Sequence, residues 1–121
     1  MRLVCMFALL AATAPSWAAA QSFPCRSEAT QMELTQCAYE DWQAADAELN
    51  RAWKIVKPKA DRRGQGQGLL QAQRAWLQFR DATCDAERNQ YEGGTIAPMI
   101  GFACLARVTR TRTQELWQYD Y

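Results

Sequence analysis

Apolar and polar positions follow the helical period over a first long segment, which lies between a capping signal and a proline. Thr30 and Glu33 form the T-x-x-E pattern of a capping box, which predicts a helix starting there. The helix is expected to end at about Lys57, because Pro58 pushes the residue before it out of helical geometry. One face of this amphipathic helix collects Leu34, Ala38, Tyr39, Trp42, Ala45, Asp46, Leu49, Ala52, Trp53 and Val56.

A second segment with the same period is predicted to run from about Leu69 to Tyr91. It should end at Gly93 and Gly94, one of which supplies a left-handed residue after the helix. The inner face of this helix is expected to carry Leu69, Leu70, Gln73, Trp76, Leu77, Arg80, Cys84, Glu87 and Tyr91.

A third helix is predicted from Pro98 or Met99 to Trp117. It is expected to turn inward the positions Phe102, Leu105, Ala106, Val108, Thr109, Arg112, Thr113 and Leu116. No segment shows a strand pattern of convincing length. The predicted fold class is therefore all-α: a three-helix, disulfide-stapled domain with a long first helix antiparallel to the second.

The connection between the first two helices, residues 57–68, is charged and rich in glycine. This composition predicts a mobile surface loop. Its basic residues are Lys57, Lys59, Arg62 and Arg63, and a solvated loop is favoured over contact with an acidic partner.

The N-terminus carries the pattern of a secretory signal peptide, predicted over residues 1–20 and followed by a mature domain over 21–121. Arg2 precedes an apolar run that is too short to span a bilayer, and small residues follow Pro15. Cys5 lies inside the apolar run and is not interpreted as a lipid-anchored cysteine. Without Arg2 the chain has thirteen basic and thirteen acidic residues, so no excess charge directs it to nucleic acid. The expected location is the periplasm or the medium, with no membrane anchor after cleavage.

The remaining four cysteines are Cys25, Cys37, Cys84 and Cys104. An even number in a small exported domain predicts two disulfides. Three pairings are open, and Cys25–Cys37 with Cys84–Cys104 is favoured because each closes a short local loop. A zinc site is not expected, since the chain has no histidine and no C-x-x-C spacing.

Polar residues within the predicted apolar faces suggest an internal network. Arg80 and Asp46 lie on the inner faces of two helices, and an isolated buried charge is very costly. We expect Arg80 to reach Asp46, with Gln73 and Asn50 completing the hydrogen bonds. The alternative is that Arg80 extends to solvent along Trp76.

No catalytic centre is predicted. The absence of histidine excludes Ser-His-Asp and Cys-His nucleophile pairs, and the cysteines are committed to disulfides. Asp81 and Asp85 lie one turn apart but outside the apolar stripe, as expected for a solvated face. Gly93-Gly94 lacks the lysine of a phosphate loop. The chain is expected to be non-enzymatic, without cofactor or metal.

Several of these patterns together resemble the lysozyme-inhibitor LprI-like family of small exported bacterial proteins. They are "TQMELTQC" (30–37), "DAELN" (46–50), "AQRAWLQFRDATC" (72–84), Gly93-Gly94, Cys104, and Thr109, Arg112 and Leu116 in the closing T-x-x-R-x-x-x-L. The resemblance covers residues 25–116 and implies a protein partner, lysozyme. The family's named member is a lipoprotein, whereas this chain lacks a lipid-attachment cysteine at the expected cleavage site.

If the chain inhibits lysozyme, occlusion of the substrate cleft is the expected mechanism, because lysozymes cut glycan between two carboxylates there. The candidate partner-binding residues lie in the turn between the last two helices: Glu92, Gly93, Gly94, Thr95, Ile96 and Pro98. The alternatives are a non-enzymatic envelope protein with a different protein partner and, less favoured, a small peptidoglycan-modifying enzyme.

Overall fold

A computed structural model describes Cys25 and residues 29–121. The predicted signal peptide and most of the segment before Ala29 lie outside the described residues. The described residues form three helices, α1 (Gln31–Arg62), α2 (Gly66–Asn89) and α3 (Ala97–Gln118), and contain no strand. The predicted all-α fold is confirmed.

The capping box that starts α1 is formed as predicted. Thr30 Oγ1 accepts a hydrogen bond from the backbone N–H of Glu33 at 3.3 Å, and the backbone N–H of Thr30 donates to Glu33 Oε2 at 2.7 Å. The reciprocal bonds satisfy two donors that a helix start otherwise leaves unpaired. The backbone hydrogen bond from Thr30 stabilises the Glu33 carboxylate and lowers its pKa.

Pro58 does not end α1, so the predicted boundary at Lys57 is wrong. The helix continues to Arg62 with Pro58 inside it. Pro58 cannot donate to the carbonyl of Lys54, but both residues are exposed, so water can satisfy that carbonyl. Val56 and Ala60, on either side, are 3% and 0% exposed. Their burial in the core offsets the lost hydrogen bond.

The mobile loop predicted over residues 57–68 is also wrong. Its first six residues belong to α1, and α2 begins at Gly66, which is buried. Only residues 63–65 connect the two helices, with Gly64 at a φ of 72°. Three of the four basic residues of this segment therefore lie on a helix, and the fourth, Arg63, follows its end.

One core cluster joins all three helices. Its buried members are Leu49, Ala52, Val56, Ala60, Leu69 and Leu116, with Trp53, Trp76 and Tyr121 packed against them. A second cluster, Cys84, Cys104 and Val108, lies between α2 and α3 and also touches Trp76. Trp76 links the two clusters, as its position on the predicted inner face of α2 implied.

Contacts along α3 define the direction of its packing on α1. Gln31 at the start of α1 contacts Met99 at the start of α3, and buried residues between Leu49 and Ala60, further along α1, share a core cluster with Leu116 near the end of α3. The two helices therefore run in the same direction.

The contacts of α3 with α2 run in the opposite order. Glu87 late in α2 bonds Arg107, and Gln73 early in α2 bonds Arg112 later in α3. The antiparallel packing of α1 on α2 stays a prediction, because the contacts described above join each of these helices to α3 and not to each other.

The second helix is less buried than its sequence pattern predicted. Only Gly66, Leu69 and Cys84 are buried along it. Leu77 and Tyr91, which were assigned to the inner face, are 38% and 45% exposed. Tyr91 lies beyond the last helical residue, so the helical period no longer sets its direction. The main packing joins α1 to α3, and α2 covers their seam with a narrow face.

Both disulfides have the favoured pairing. Cys25 bonds Cys37 and ties the segment before α1 to its second turn. Cys84 bonds Cys104 and joins α2 to α3 across the turn between them. Cys37, Cys84 and Cys104 are buried, so these sulfur atoms also contribute to packing.

Candidate functional site

The turn between α2 and α3 is the candidate partner-binding loop of the sequence. Residues 90–96 connect the helices through a series of tight turns. Gly93 has a φ of 83°, the left-handed conformation that glycine adopts without steric cost. The backbone N–H of Gly94 donates to the carbonyl of Tyr91 at 2.9 Å, and that of Ala97 donates to Gly94 at 3.3 Å. These bonds give the loop a defined shape.

The helices that carry this loop are fastened to each other in three ways. The Cys84–Cys104 disulfide lies at its base. Arg107 of α3 forms an ion pair with Glu87 of α2 at 2.5 Å. Gly101 lets α2 approach closely, since a Cβ there would lie 3.3 Å from Arg88 Cδ. The loop therefore projects from a braced base.

Most of the predicted loop residues are exposed at the surface rather than buried. Glu92, Gly93, Gly94 and Thr95 are exposed and Ile96 is half-buried. Pro98 is exposed but belongs to the first turn of α3 rather than to the loop. The structure thus gives the loop a surface, while its binding role remains a prediction.

The loop has a neighbour that sequence reasoning missed. Thr95 lines a cavity of about 590 Å³ together with the first turns of α1, at Gln31, Met32, Glu33, Thr35 and Gln36. Met32 is 82% exposed, the most exposed of the large hydrophobic residues described. The loop and the start of α1 therefore form one continuous surface at this end of the bundle. No local pattern in the sequence indicates this shared cavity, because its walls come from segments about sixty residues apart.

The predicted bond between Arg80 and Asp46 at the centre of the polar network is not formed, and each of these two residues has another partner. Asp46 accepts a hydrogen bond from Asn50 Nδ2 at 3.2 Å, within α1. Arg80 donates to the neighbouring Asp81 at 2.9 Å and lies over the ring of Trp76, 5.3 Å from its centroid. Arg80 therefore lies along Trp76 and does not reach Asp46, but its side chain is only 12% exposed and does not extend into solvent as the alternative expected.

Arg112 is the arginine that lies among the buried residues of the described chain, since it is 7% exposed. Its Nε donates to Gln73 Oε1 at 3.0 Å and its Nη1 to Glu115 Oε2 at 3.0 Å. Gln73 therefore does take part in an interhelical polar contact, with α3 instead of α1. Arg112 was on the predicted inner face and in the closing motif, and those were the available signals for its role.

A surface ion pair joins α1 to α3. Arg110 forms a bidentate ion pair with Asp41, in which Nη1 donates to Oδ2 at 2.8 Å and Nη2 donates to Oδ1 at 2.6 Å. Hydrogen bonding from Arg110 lowers the pKa of Asp41, and the same bond raises the pKa of Arg110. No pattern in the sequence indicates this pair, because neither residue interrupts a predicted apolar face.

Asp41→Asn is expected to reduce stability near neutral pH and to lose that effect in acid. The folded-state pKa of Asp41 lies below its unfolded value, so the ion pair stabilises above the unfolded pKa and fails as pH falls through the folded pKa. Since both side chains are about half exposed, the loss at pH 7 should be about 0.5 kcal/mol.

Urea unfolding at pH 7 and at about pH 2.5 measures this difference, with the second value chosen below the usual carboxyl range. Arg110→Gln and the double variant complete the cycle. Their coupling energy should be positive at pH 7 and close to zero in acid, and a coupling independent of pH contradicts the assignment.

The two carboxylates considered for catalysis lie on the surface and are paired. Asp81 binds Arg80, and Asp85 lies 3.9 Å from Arg88. Both line a cavity of about 360 Å³ between α2 and α3, whose apolar wall includes Phe102 and Leu105. Among the described residues, no group of three or more potential ligands could hold a metal ion.

The braced loop and the disulfide framework coincide with the region that identifies the chain's relatives. Residues 25–116 match the family model described as lysozyme inhibitor LprI. The chain belongs to the LprI family. An uncharacterised protein of Rhizobium meliloti (strain 1021) is 38% identical over 120 aligned residues, covering 89% of this chain and 86% of the relative. No solved structure matches this chain.

Membership in the LprI family fits the non-enzymatic prediction, since the family is one of inhibitors. It implies a protein partner, and together with two disulfides it indicates an extracytoplasmic protein. None of the three described helices has an apolar stretch of the length that crossing a bilayer requires.

Proposed function

We propose that this LprI-family protein acts in the periplasm, after removal of residues 1–20, and inhibits lysozyme by occluding its substrate cleft. The observation that carries the proposal is the exposed loop 90–96 on its disulfide-braced base. A loop ordered before binding loses less conformational entropy when a partner immobilises it.

The loop offers the chemistry that a cleft with two carboxylates can accept. Among the described residues, the backbone N–H groups of Gly93 and Thr95 have no acceptor, so they can donate to a partner. The Thr95 hydroxyl is a further donor. Narrow and rich in glycine, this loop can approach the floor of a cleft closely, while Met32 beside it can contact the apolar rim.

The charge around the loop favours a basic partner. Residues 31–50 of α1 contain no basic and five acidic residues, of which Asp41 is paired with Arg110 of α3, and Glu92 lies on the loop itself. Opposite charges at a rim accelerate association and orient the partners. The chain as a whole is close to neutral. This local acidic region can therefore attract a cationic lysozyme even though the net charge cannot.

The test is lysis of a bacterial cell-wall suspension by lysozyme, followed by turbidity, with increasing amounts of the protein. The double variant Glu92→Ala/Thr95→Ala should raise the concentration for half-protection by about tenfold, equivalent to losing two modest interface contacts. Lys54→Ala/Gln67→Ala, at exposed positions near the other end of the bundle, is the matched control and should protect like the unchanged protein.

Each result of this assay bears on one part of the proposal. Protection that excess cell wall overcomes supports occlusion of the cleft, whereas protection independent of substrate concentration contradicts it. No protection against several types of lysozyme rejects inhibition and leaves a different protein partner. Clearing of cell walls by the protein alone overturns the non-enzymatic assignment.

A further inference from the structure

Charge is divided sharply between the two halves of α1. Residues 31–50 carry five acidic and no basic residues, whereas residues 51–63 carry six basic residues and one acidic residue. We call the second group the basic end: Arg51, Lys54, Lys57, Lys59, Arg62 and Arg63. The acidic residue within it, Asp61, is bound by Lys57 at 2.6 Å. The basic end therefore retains a positive charge in a molecule that is nearly neutral overall.

The structure turns these charges into a fixed surface. The sequence pattern placed most of them on a mobile loop, but all except Arg63 lie within α1. Lys54, Lys59, Arg62 and Arg63 are exposed and form no ion pair with any other residue that the structure describes. Their charges are consequently ordered, accessible and uncompensated.

Exposed apolar side chains accompany the basic end. Ile55 is 48% exposed and Trp117 is 51% exposed. Their positions follow from the Asp41–Arg110 pair, because Arg110 lies near both Asp41 and Glu48. Two turns further along each helix, seven residues on, the same seam reaches Ile55 on α1 and Trp117 on α3.

We propose that the basic end binds the surface of membranes that contain anionic phospholipids, with Trp117 and Ile55 entering the interfacial layer. Clusters of lysine and arginine are attracted by the negative potential of such surfaces. Tryptophan has an amphipathic ring that favours the headgroup level of a bilayer.

A lipid surface suits this geometry better than a small anion does. The charges are spread over three turns of a helix on a convex surface. An extended plane of phosphates can meet many of them at once, whereas a single phosphate meets one or two. Binding of this kind is peripheral and reversible, and it needs no membrane-spanning helix.

The inference goes beyond lysozyme inhibition and does not depend on it, but it would orient the inhibitor. The basic end and the loop 90–96 lie at opposite ends of the bundle, and a 32-residue helix such as α1 is about 48 Å long. A molecule docked by its basic end would present the loop away from the membrane, and the acidic half of α1 would be repelled from it.

Vesicle co-sedimentation of the protein recovered after export tests the proposal, with phosphatidylcholine vesicles compared with phosphatidylcholine–phosphatidylglycerol vesicles. The protein should bind only the anionic vesicles and be released by salt. Lys59→Gln/Arg62→Gln should weaken the partition constant by roughly fivefold for each charge removed.

The matched control is Arg88→Gln/Arg107→Gln, which removes the same charge from α2 and α3 near the loop end. It should bind like the unchanged protein, and thermal melting checks that both variants are folded. Trp117→Ala should reduce the binding that remains at raised salt.

The proposal is overturned if the two double variants weaken vesicle binding equally, or if the unchanged protein binds neutral and anionic vesicles equally. Inorganic phosphate could also release the protein fully from the vesicles when chloride at the same ionic strength does not. The basic end would then bind single phosphate groups, and the proposal would also be overturned.

Discussion

Replacing both Cys84 and Cys104 by alanine is expected to lower the free energy of unfolding by about 3 kcal/mol. The disulfide closes a loop with a sequence separation of 20, and breaking it returns to the unfolded chain the freedom that the bond removes. Both sulfur atoms are also buried beside Val108, so the variant loses packing as well. Urea unfolding with and without a reductant measures the change.

Cys25→Ala/Cys37→Ala is the matched control for the first disulfide variant. Its separation of 12 predicts a loss of nearly the same size, also about 3 kcal/mol. The two variants should differ in function. Opening Cys84–Cys104 releases the base of the loop and should abolish protection against lysozyme, whereas the control should protect under conditions in which it remains folded. Equal protection by both variants would contradict the role of the braced loop.

Most of the fold could be predicted from the sequence because the signals for it were local. The capping box of Thr30 and Glu33 joins residues one turn apart, and both disulfides close short loops. Apolar periodicity placed three helices at nearly their observed positions. Each of these inferences depends on neighbours in sequence, which local physical rules describe well.

Pro58 shows where a local rule is overridden by packing. Loss of one hydrogen bond at an exposed position is offset when Val56 and Ala60 on either side enter the core. The stabilisation gained by extending the helix is apparent only in the tertiary structure, where Val56 and Ala60 join the core cluster of Leu69 and Leu116. The sequence alone could not supply this contact, so it ended the helix too early.

The partners of the polar side chains depended on how α2 is rotated about its axis. Arg80 and Arg112 were both on predicted inner faces, and Gln73 was available to either of them. In the structure α2 turns Gln73 towards Arg112 and leaves Arg80 over Trp76. A helical pattern fixes which residues share a face, but not which face meets which neighbour. For the same reason the sequence did not indicate the cavity that the loop and the start of α1 line together.

The largest single-residue effect is expected for Leu116→Ala. Leu116 is 0% exposed and shares a core cluster with apolar residues of both α1 and α2, including Val56 and Leu69. Removing its buried methyl groups loses their transfer free energy and leaves a cavity where three helices meet. The expected loss of unfolding free energy is about 3 kcal/mol or more, since rigid surroundings collapse only partly.

Leu77→Ala makes the same chemical change and is its control. Leu77 was predicted to face inward but is 38% exposed, so its truncation should cost roughly 1 kcal/mol or less. Chemical unfolding of the two variants side by side compares the sequence pattern directly with the structure. If Leu77→Ala proved as costly as Leu116→Ala, α2 would be rotated inward as its periodicity suggested. The seam between α1 and α3 would then no longer be the main source of stability.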